Sequence, residues 1–272
     1  MIKMSSETQS AESVVLLRKE NGVAWITLNR PSVLNACDIT TLKRLQGILR
    51  EIERDSNSRC VVLTGSGRAF CAGADLQALL SRSSEERELS LMEDLRDGFN
   101  PIVSSMRNMD KPLIAMINGV AAGAGMGLAF ACDLRIMSES ARFVEAFAKV
   151  GLIPDSGATF FMPRLLGITK AMELAFTGEG IDAVEASKMG IVNRVVAADR
   201  LEPETREIAE KLARGPKGIG LAKRAINRAL FMDLEGALNY EAQIQEIAGK
   251  TKDHKEGVRA FTEKRAALFH GE

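Results

Sequence analysis

Two stretches of small residues, each directly after a predicted strand, are the part of this sequence best suited to chemistry. The first runs from Gly119 to Asp133 and follows the apolar, partly β-branched run Leu113 to Ile117. The second runs from Gly65 to Leu76 and follows the run Cys60 to Thr64. Small residues let the backbone approach a ligand closely, and the helix predicted from Met126 leaves unpaired N–H groups at its start. Two such loops could aim one backbone N–H each at a single oxygen and stabilise an oxyanion, at about 3 kcal/mol per donor in a transition state.

Small residues in these loops could also serve helix packing or dinucleotide binding. Runs of Gly and Ala after strands permit tight packing of a helix on a sheet, and composition alone leaves that role open. A dinucleotide-binding fingerprint fits less well. Gly123, Gly125 and Gly127 place the third glycine too early for G-x-G-x-x-G, and no acidic residue about 20 positions later is clearly at a strand end. We therefore reject the fingerprint and keep packing as the alternative.

Charge and composition favour a small-molecule partner. The 272 residues are 46% hydrophobic and carry 36 basic and 36 acidic side chains, so nothing favours a nucleic-acid or membrane partner. Residues 1–12 are polar and do not form a signal peptide, and we expect them to be a disordered tail. No apolar run approaches the roughly 20 residues that a membrane helix needs, so we expect a cytoplasmic protein.

The cysteines and histidines argue against a metal site. Four cysteines have no C-x-x-C spacing and lie among apolar or small residues, which predicts buried, reduced thiols. The two histidines, His254 and His270, both lie near the C-terminus. A zinc site or a histidine-dependent triad is therefore not expected.

The remaining patterns alternate strands with helices and predict an α/β fold. Asn21-Gly22 between two apolar runs predicts an opening β-hairpin, Val14 to Leu17 with Val23 to Leu28. The other predicted elements are a helix with Leu42, Leu45, Ile48, Leu49 and Ile52 on one face, a short helix from Asp75 to Ser81, a helix from Ser83 to about Met109 that Gly98 and Pro101 kink or divide, strands Leu134 to Met137 and Phe143 to Phe147, and a helix near Phe160 to Leu166. This order indicates stacked β-β-α units.

From Asp182 onward the sequence is almost wholly helical. Ala222, Ala225, Ile226, Ala229 and Leu230 form an apolar stripe at helical spacing, and residues 241–248 and 256–269 predict two further helices. We therefore divide the chain into the tail 1–12, a core over 13–200 and a C-terminal helical region over 201–272.

Several motifs in one order resemble the crotonase superfamily, the enoyl-CoA hydratase/isomerase proteins. They are Leu28-Asn-Arg-Pro-Ser-Val-Leu-Asn-Ala36, Phe70-Cys-Ala-Gly-Ala-Asp-Leu76, Asn118-Gly-Val-Ala-Ala-Gly-Ala-Gly125, Ala131-Cys-Asp133, Gly151-Leu-Ile-Pro-Asp-Ser-Gly157 and Phe261-Thr-Glu-Lys-Arg265. The resemblance runs from about Val14 to Phe269. It implies a crotonase-like spiral of repeated β-β-α units whose C-terminal helical region forms trimers, often paired into hexamers.

The resemblance also implies roles for individual residues. It implies that the backbone amides of Ala72 and Ala124 hold the thioester oxygen of an acyl-CoA. The residues that it implies at the CoA moiety are Ala72, Gly73, Ala74, Asp75, Leu76, Ala124, Phe261 and Lys264. It implies no metal and no redox cofactor, because CoA enters as part of the thioester substrate.

One departure from the family pattern affects the expected reaction. Hydratases of this family use two glutamates to hold water, and the matching positions here are Gly127 and Phe147. Water addition is therefore in doubt. Glu145 lies two residues before Phe147, and an even offset on a strand keeps the same face, so Glu145 is an alternative acid or base.

Asp155 is the preferred catalytic residue. An aspartate in this turn resembles the base of family isomerases, including the ring isomerase of bacterial phenylacetate degradation. Its alternative role is an N-cap for a helix starting near Ser156, which would favour the ionised carboxylate. We expect an isomerase in which Asp155 moves a proton while the two amides hold the enolate oxygen. The alternatives are a 2-enoyl-CoA hydratase that uses Glu145 or Asp155, and a non-catalytic acyl-CoA binder; fatty acid and phenylacetate pathways both stay open.

Overall fold

The computed structural model describes residues 13–81 and 90–272, and within them the chain forms two β-sheets with helices packed around them. The strands are β1 (Val15–Glu20), β2 (Val23–Leu28), β3 (Cys60–Gly65), β4 (Ala69–Cys71), β5 (Leu113–Ile117), β6 (Val120–Ala122), β7 (Leu134–Ser138), β8 (Arg142–Val144), β9 (Gly180–Asp182) and β10 (Arg194–Val196). The helices are α1 (Ile39–Arg54), α2 (Leu76–Leu80), α3 (Leu91–Asp97), α4 (Phe99–Asn108), α5 (Ala124–Ala131), α6 (Ala158–Leu166), α7 (Ile168–Thr177), α8 (Ala183–Lys188), α9 (Leu201–Ala213), α10 (Gly218–Ala229), α11 (Leu234–Gly249) and α12 (Lys252–Thr262). The predicted tail 1–12 and the predicted helix start at Ser83 lie outside the described residues.

The larger sheet has the strand order β1-β2-β3-β5-β7-β10. Its first pair is antiparallel, and the other pairs are parallel. Asn21 and Gly22 join β1 to β2 with φ angles of 50° and 77°, the left-handed backbone that a tight hairpin turn requires. The predicted hairpin is confirmed.

The smaller sheet, β4-β6-β8-β9, lies beside the larger one, and the chain moves between the two. β3, β5 and β7 in the larger sheet are each followed by a strand of the smaller sheet, namely β4, β6 and β8. This confirms the repeated β-β-α organisation. The sequence pattern does not predict β4 and β6, because three residues among alanines and glycines give no alternating pattern.

The core lies between the sheets and the helices that cover them. Leu45, Ile48 and Ile52 of α1 are buried, as the stripe predicted. Helix α5 is buried at every position, and the rings of Phe130 and Phe143 pack with centroids 4.9 Å apart. Helix α9 covers the other face of the larger sheet, so the first helix after residue 200 packs with the core.

Three other predicted segments differ in detail. The predicted long helix is divided at Gly98, which separates α3 from α4, whereas Pro101 lies in the first turn of α4. The region after Asp182 is not wholly helical, because it also supplies β10. The apolar stripe of α10 is partly exposed, and Ile226 keeps 66% of its surface accessible. In the described part of the chain, no helix combines the length and apolarity needed to cross a bilayer.

Candidate active site

A cavity of about 330 Å³ opens where the turn after β4, the start of α5 and the turn after β8 meet. Apolar side chains make up most of its wall, among them Leu42, Leu79, Leu95, Phe99 and Phe147. The polar groups that face it include Asp155 and the backbone around Gly73 and Ala124. An apolar wall with a few convergent polar groups is typical of a small-molecule site.

The turn after β4 is held by a short parallel pairing with the segment before α1. The Cys37 N–H donates to the Gly73 carbonyl at 2.7 Å, and the Asp75 N–H donates to the Cys37 carbonyl at 3.0 Å. In a parallel pairing, the residue between two such groups points its own N–H to the opposite side. The Ala74 N–H therefore points away from Cys37, and it has no hydrogen-bond partner among the described residues.

The Ala72 amide does not have its expected role. The Ala72 N–H donates to the Leu34 carbonyl at 3.0 Å, so it is not available to a substrate oxygen. The unpaired donor of this turn is Ala74, two residues later. Both residues line the cavity, so the sequence located the turn correctly but not the donor within it.

The second donor is at the start of α5. Gly123 precedes the helix with φ of 51° and provides no side-chain cap, and the Ala124 N–H has no hydrogen-bond partner in the described chain. A methyl group on Gly73 would come within 3.2 Å of the Ala124 nitrogen. A methyl group on Gly125 would overlap the Cys71 carbonyl and lie 2.8 Å from the Cys71 Cβ. The two turns are therefore in backbone contact, and glycine is required there for close approach.

Asp155 lies in the same cavity, in the turn before α6. Helix α6 begins at Ala158, and no side chain caps it, so the N-cap role considered for Asp155 is wrong. Its Oδ1 instead accepts a hydrogen bond from Ser156 Oγ at 2.7 Å. Burial raises the pKa of Asp155 above its usual 3.8, and the Ser156 hydroxyl opposes that shift. A raised pKa suits a residue that must both take and return a proton near neutral pH.

Asp38 and Asp75, two of the three other aspartates that the described chain contributes to the cavity wall, have structural partners. Asp38 caps α1 through the Thr41 N–H, and Asp75 caps α2 through the Ala78 N–H. Arg30 forms ion pairs with both, at 3.3 and 2.9 Å. The Ala78 N–H and Arg30 lower the pKa of Asp75, so its carboxylate remains ionised and stays paired with these two groups.

The positions that match the two hydratase glutamates cannot hold water in the same way. Phe147 places its ring in the cavity wall, and a methyl group on Gly123 would lie 3.7 Å from the Phe147 Cζ. A methyl group on Gly127 would lie 2.7 Å from the Ser156 carbonyl oxygen and 3.1 Å from its Cβ. One position is therefore apolar, and the other has no room for a side chain.

Glu145 does not take the place expected for an alternative acid or base. Strand β8 ends at Val144, and Phe147 has helical backbone angles, so Glu145 and Phe147 do not share a strand face and that prediction is wrong. Glu145 is 1% exposed and is not among the residues that line the cavity. Neither carboxyl oxygen has a geometrically acceptable hydrogen bond among the described residues. Burial raises the pKa of Glu145; the nearby backbone N–H groups of Phe147 and Ala148 oppose that shift, and the charge of Asp155 adds to it.

The residues expected at the CoA moiety fall into two groups. Ala72, Gly73, Ala74, Asp75 and Leu76 all line the cavity with Ala124. Phe261 and Lys264 are not brought to it. Phe261 is 87% exposed at the end of α12, and Lys264 follows in a left-handed turn with φ of 54°. Within a single chain, the expected contact of these two residues with the site is absent from the described structure.

Comparisons with known proteins give one consistent family. Residues 18–272 match a family model described as enoyl-CoA hydratase/isomerase. The 1,2-epoxyphenylacetyl-CoA isomerase of Escherichia coli K12 is 40% identical over 259 residues, which cover 94% of this chain and 98% of that protein. The short-chain-enoyl-CoA hydratase of Clostridium acetobutylicum is 39% identical, covering 92% and 95%. A crystal structure of an enoyl-CoA hydratase from Bacillus anthracis superposes with a TM-score of 0.89 at 38% identity, covering 95% of this chain and 100% of that one.

Proposed function

Since the chain belongs to the enoyl-CoA hydratase/isomerase family, we propose that it is an acyl-CoA isomerase that shifts a carbon–carbon double bond by proton transfer. Relatives at similar identity are named both as isomerases and as hydratases, so similarity alone does not distinguish the two reactions. The distinction rests on the side chains of the cavity.

The proposed reaction uses two amides and one carboxylate. The Ala74 and Ala124 N–H groups donate hydrogen bonds to the thioester carbonyl oxygen of a 3-enoyl-CoA. The Asp155 carboxylate removes a proton from the carbon next to the carbonyl, and the negative charge collects on the thioester oxygen. Asp155 then returns the same proton to the distal carbon of the former double bond. The double bond is now conjugated with the carbonyl, and the reaction requires no metal or redox cofactor.

The observation that carries the proposal is the local structure at Phe147 and Gly127. The two positions that would hold water in a hydratase present an aromatic ring and a glycine packed against Ser156. The Asp155 carboxylate has only the Ser156 hydroxyl as a hydrogen-bond partner in the described residues. A carboxylate beside two unpaired amides, without a pair of glutamates to hold water, favours moving a proton over adding water.

An absorbance assay tests the reaction. A 3-enoyl-CoA is added, and the absorbance of the conjugated 2-enoyl product is followed. We expect the absorbance to rise with wild-type protein, and the rate of this rise to be lower by about 100-fold or more in Asp155→Asn, which is the size of a general base contribution. Asp199→Asn, at an exposed position in the turn Ala198–Arg200, is the matched control and should keep the wild-type rate.

The same assay separates the alternatives. A hydratase would consume the absorbance of a supplied 2-enoyl-CoA, and a non-catalytic binder would change neither signal. An unchanged rate in Asp155→Asn would refute the assignment of the base. Aliphatic and ring-containing 3-enoyl thioesters run in parallel would identify the acyl group.

We also infer that the working form is an oligomer, a trimer or a hexamer. Helices α10 and α11 and the segment between them expose Ile226, Phe231, Leu234 and Leu238. An exposed apolar patch of this kind marks an interface. A neighbouring subunit would also bring a cavity around Ala74 and Ala124 within reach of Phe261 and Lys264, which do not line that cavity in their own chain. Light scattering in solution tests this, and a monomer at micromolar concentration would contradict it.

A further inference from the structure

A pair of thiols lies directly behind the turn that carries Ala74 and has no part in the proposed proton transfer. Cys37 lies just before α1, and Cys71 is the last residue of β4. Both are buried, and their Sγ atoms are 3.8 Å apart. Cys37 also lines the cavity, whereas Cys71 does not, so Cys37 is the thiol nearer to a small molecule in the cavity.

Both cysteines are hydrogen-bonded to this turn. The Cys37 N–H donates to the Gly73 carbonyl, and the Gly73 N–H donates to Cys71 Sγ at 3.4 Å. Cys71 is also covalently joined to Ala72. A movement of either sulfur is therefore transmitted to the backbone around Ala74.

We propose that Cys37 and Cys71 are an oxidation site at which hydrogen peroxide forms a disulfide that displaces the turn and weakens thioester binding. Cys37 Sγ attacks one peroxide oxygen and the O–O bond breaks; the thiol proton leaves with the released oxygen as water, and a sulfenic acid remains. Cys71 Sγ then attacks the sulfenic sulfur, the S–O bond breaks, and a second water leaves with the Cys71 thiol proton. Two thiols and one peroxide thus give one disulfide and two waters.

The order of steps is set by access rather than by acidity, because Cys37 lines the cavity and Cys71 does not. A hydrogen bond from Cys37 and the Gly73 N–H lower the pKa of Cys71, which makes it the better nucleophile for the second step. The hydrogen bond with Cys71 and burial raise the pKa of Cys37, which makes the first step slow. Oxidation should therefore accelerate as the pH rises, because more of the Cys37 thiol is ionised.

The distance between the two Sγ atoms gives the size of the movement that a disulfide would require. A disulfide bond is about 2 Å long, so the two sulfurs must approach each other by nearly 2 Å. The start of α5 leaves little room on the other side of Cys71, since a methyl group on Gly125 would already lie 2.8 Å from the Cys71 Cβ. The turn around Ala74, rather than α5, is therefore the side that yields to this approach, and a 1 Å misplacement of a catalytic group costs about 100-fold in rate.

Mass spectrometry and binding test the proposal on the full chain. The protein is treated with hydrogen peroxide, quenched with catalase, denatured and alkylated with N-ethylmaleimide. We expect alkylation to fall from four cysteines to two, with a peptide linking Cys37 to Cys71. The affinity for a saturated acyl-CoA, octanoyl-CoA, should fall at least tenfold by calorimetry and recover with dithiothreitol.

Variants identify the pair. Cys37→Ala and Cys71→Ala should each keep their own untreated affinity after peroxide, whereas Cys132→Ala should respond like wild type. Treated protein that still alkylates at all four cysteines, or a Cys37–Cys71 disulfide that leaves the affinity unchanged, would overturn the proposal. Neither readout needs a double-bond shift, so the result is independent of the isomerase assignment.

Discussion

Replacing Gly125 by alanine tests the backbone contact on which the site depends. The added methyl group would overlap the Cys71 carbonyl and lie 2.8 Å from the Cys71 Cβ, and neither is the end of a flexible side chain. The start of α5 must therefore move away from β4. Overpacking of this kind costs about 3 kcal/mol at the upper end of its usual range. Better helix propensity offsets about 1 kcal/mol, so we expect a net loss of about 2 kcal/mol in the free energy of unfolding.

Gly125→Ala should also lower the activity of the protein that remains folded. Gly125 is next to Ala124, and Cys71 belongs to the strand that leads to Ala74, so the shift changes the distance between the two amides. A displacement of about 1 Å should lower kcat/KM about 100-fold. Urea unfolding and the absorbance assay, run where circular dichroism shows a folded protein, measure the two effects separately.

Gly47→Ala is the matched control for this change. Gly47 is also inside a helix, but a methyl group there would meet no atom within 4 Å. The free energy of unfolding of this control should rise by up to about 1 kcal/mol, and its activity should stay at the wild-type level. If Gly125→Ala behaved in the same way as this control, the turns would not be in contact and the two amides would not form an oxyanion site.

The charged groups give three more testable outcomes. Because burial raises the pKa of Asp155 above 3.8 and the ionised form is the base, kcat/KM should fall on acidification with a midpoint above 3.8, and a pH–rate profile measures it. The pKa of Glu145 is raised above its usual 4.5, so the folded state binds this proton more tightly than the unfolded state and the free energy of unfolding falls as the pH rises above 4.5. Glu145→Gln should therefore stabilise the protein more at pH 8 than at pH 4, which thermal unfolding at the two pH values measures. Lys223→Met removes a buried ammonium that is 2.8 Å from Asp133, and it should lower the free energy of unfolding in urea by about 3 kcal/mol. Adding Asp133→Asn to this variant should recover part of that loss.

The elements with strong periodicity could be predicted from the sequence. Five apolar residues on one face located α1, and β-branched runs located β3 and β5, because burial of one face or of a whole strand leaves a pattern in neighbouring positions. β4 and β6 leave no such pattern, since their three residues are specified by partners elsewhere in the smaller sheet.

The details of the site depend on contacts between distant residues. Whether Ala72 or Ala74 offers its amide is decided by the Leu34 carbonyl, which lies 38 positions earlier and takes the Ala72 N–H. The location of the turn could be predicted, but the donor could not. The exposed position of Phe261 could not be predicted either, because the sequence motif does not specify which residues lie against the end of α12.

The uncapped carboxylate of Asp155 and the glycine at position 127 have a common structural cause at Ser156. Its left-handed φ of 51° and the following Gly157 delay the start of α6 to Ala158, so the Asp155 carboxylate is not used as a helix cap. The same conformation puts the Ser156 carbonyl against Gly127 and fills the space that a side chain there would need. A glutamate at position 127 would therefore displace Ser156 and with it Asp155. The uncapped Asp155 carboxylate and the missing glutamate are consequences of one turn, so a glutamate at 127 and the present position of Asp155 exclude each other.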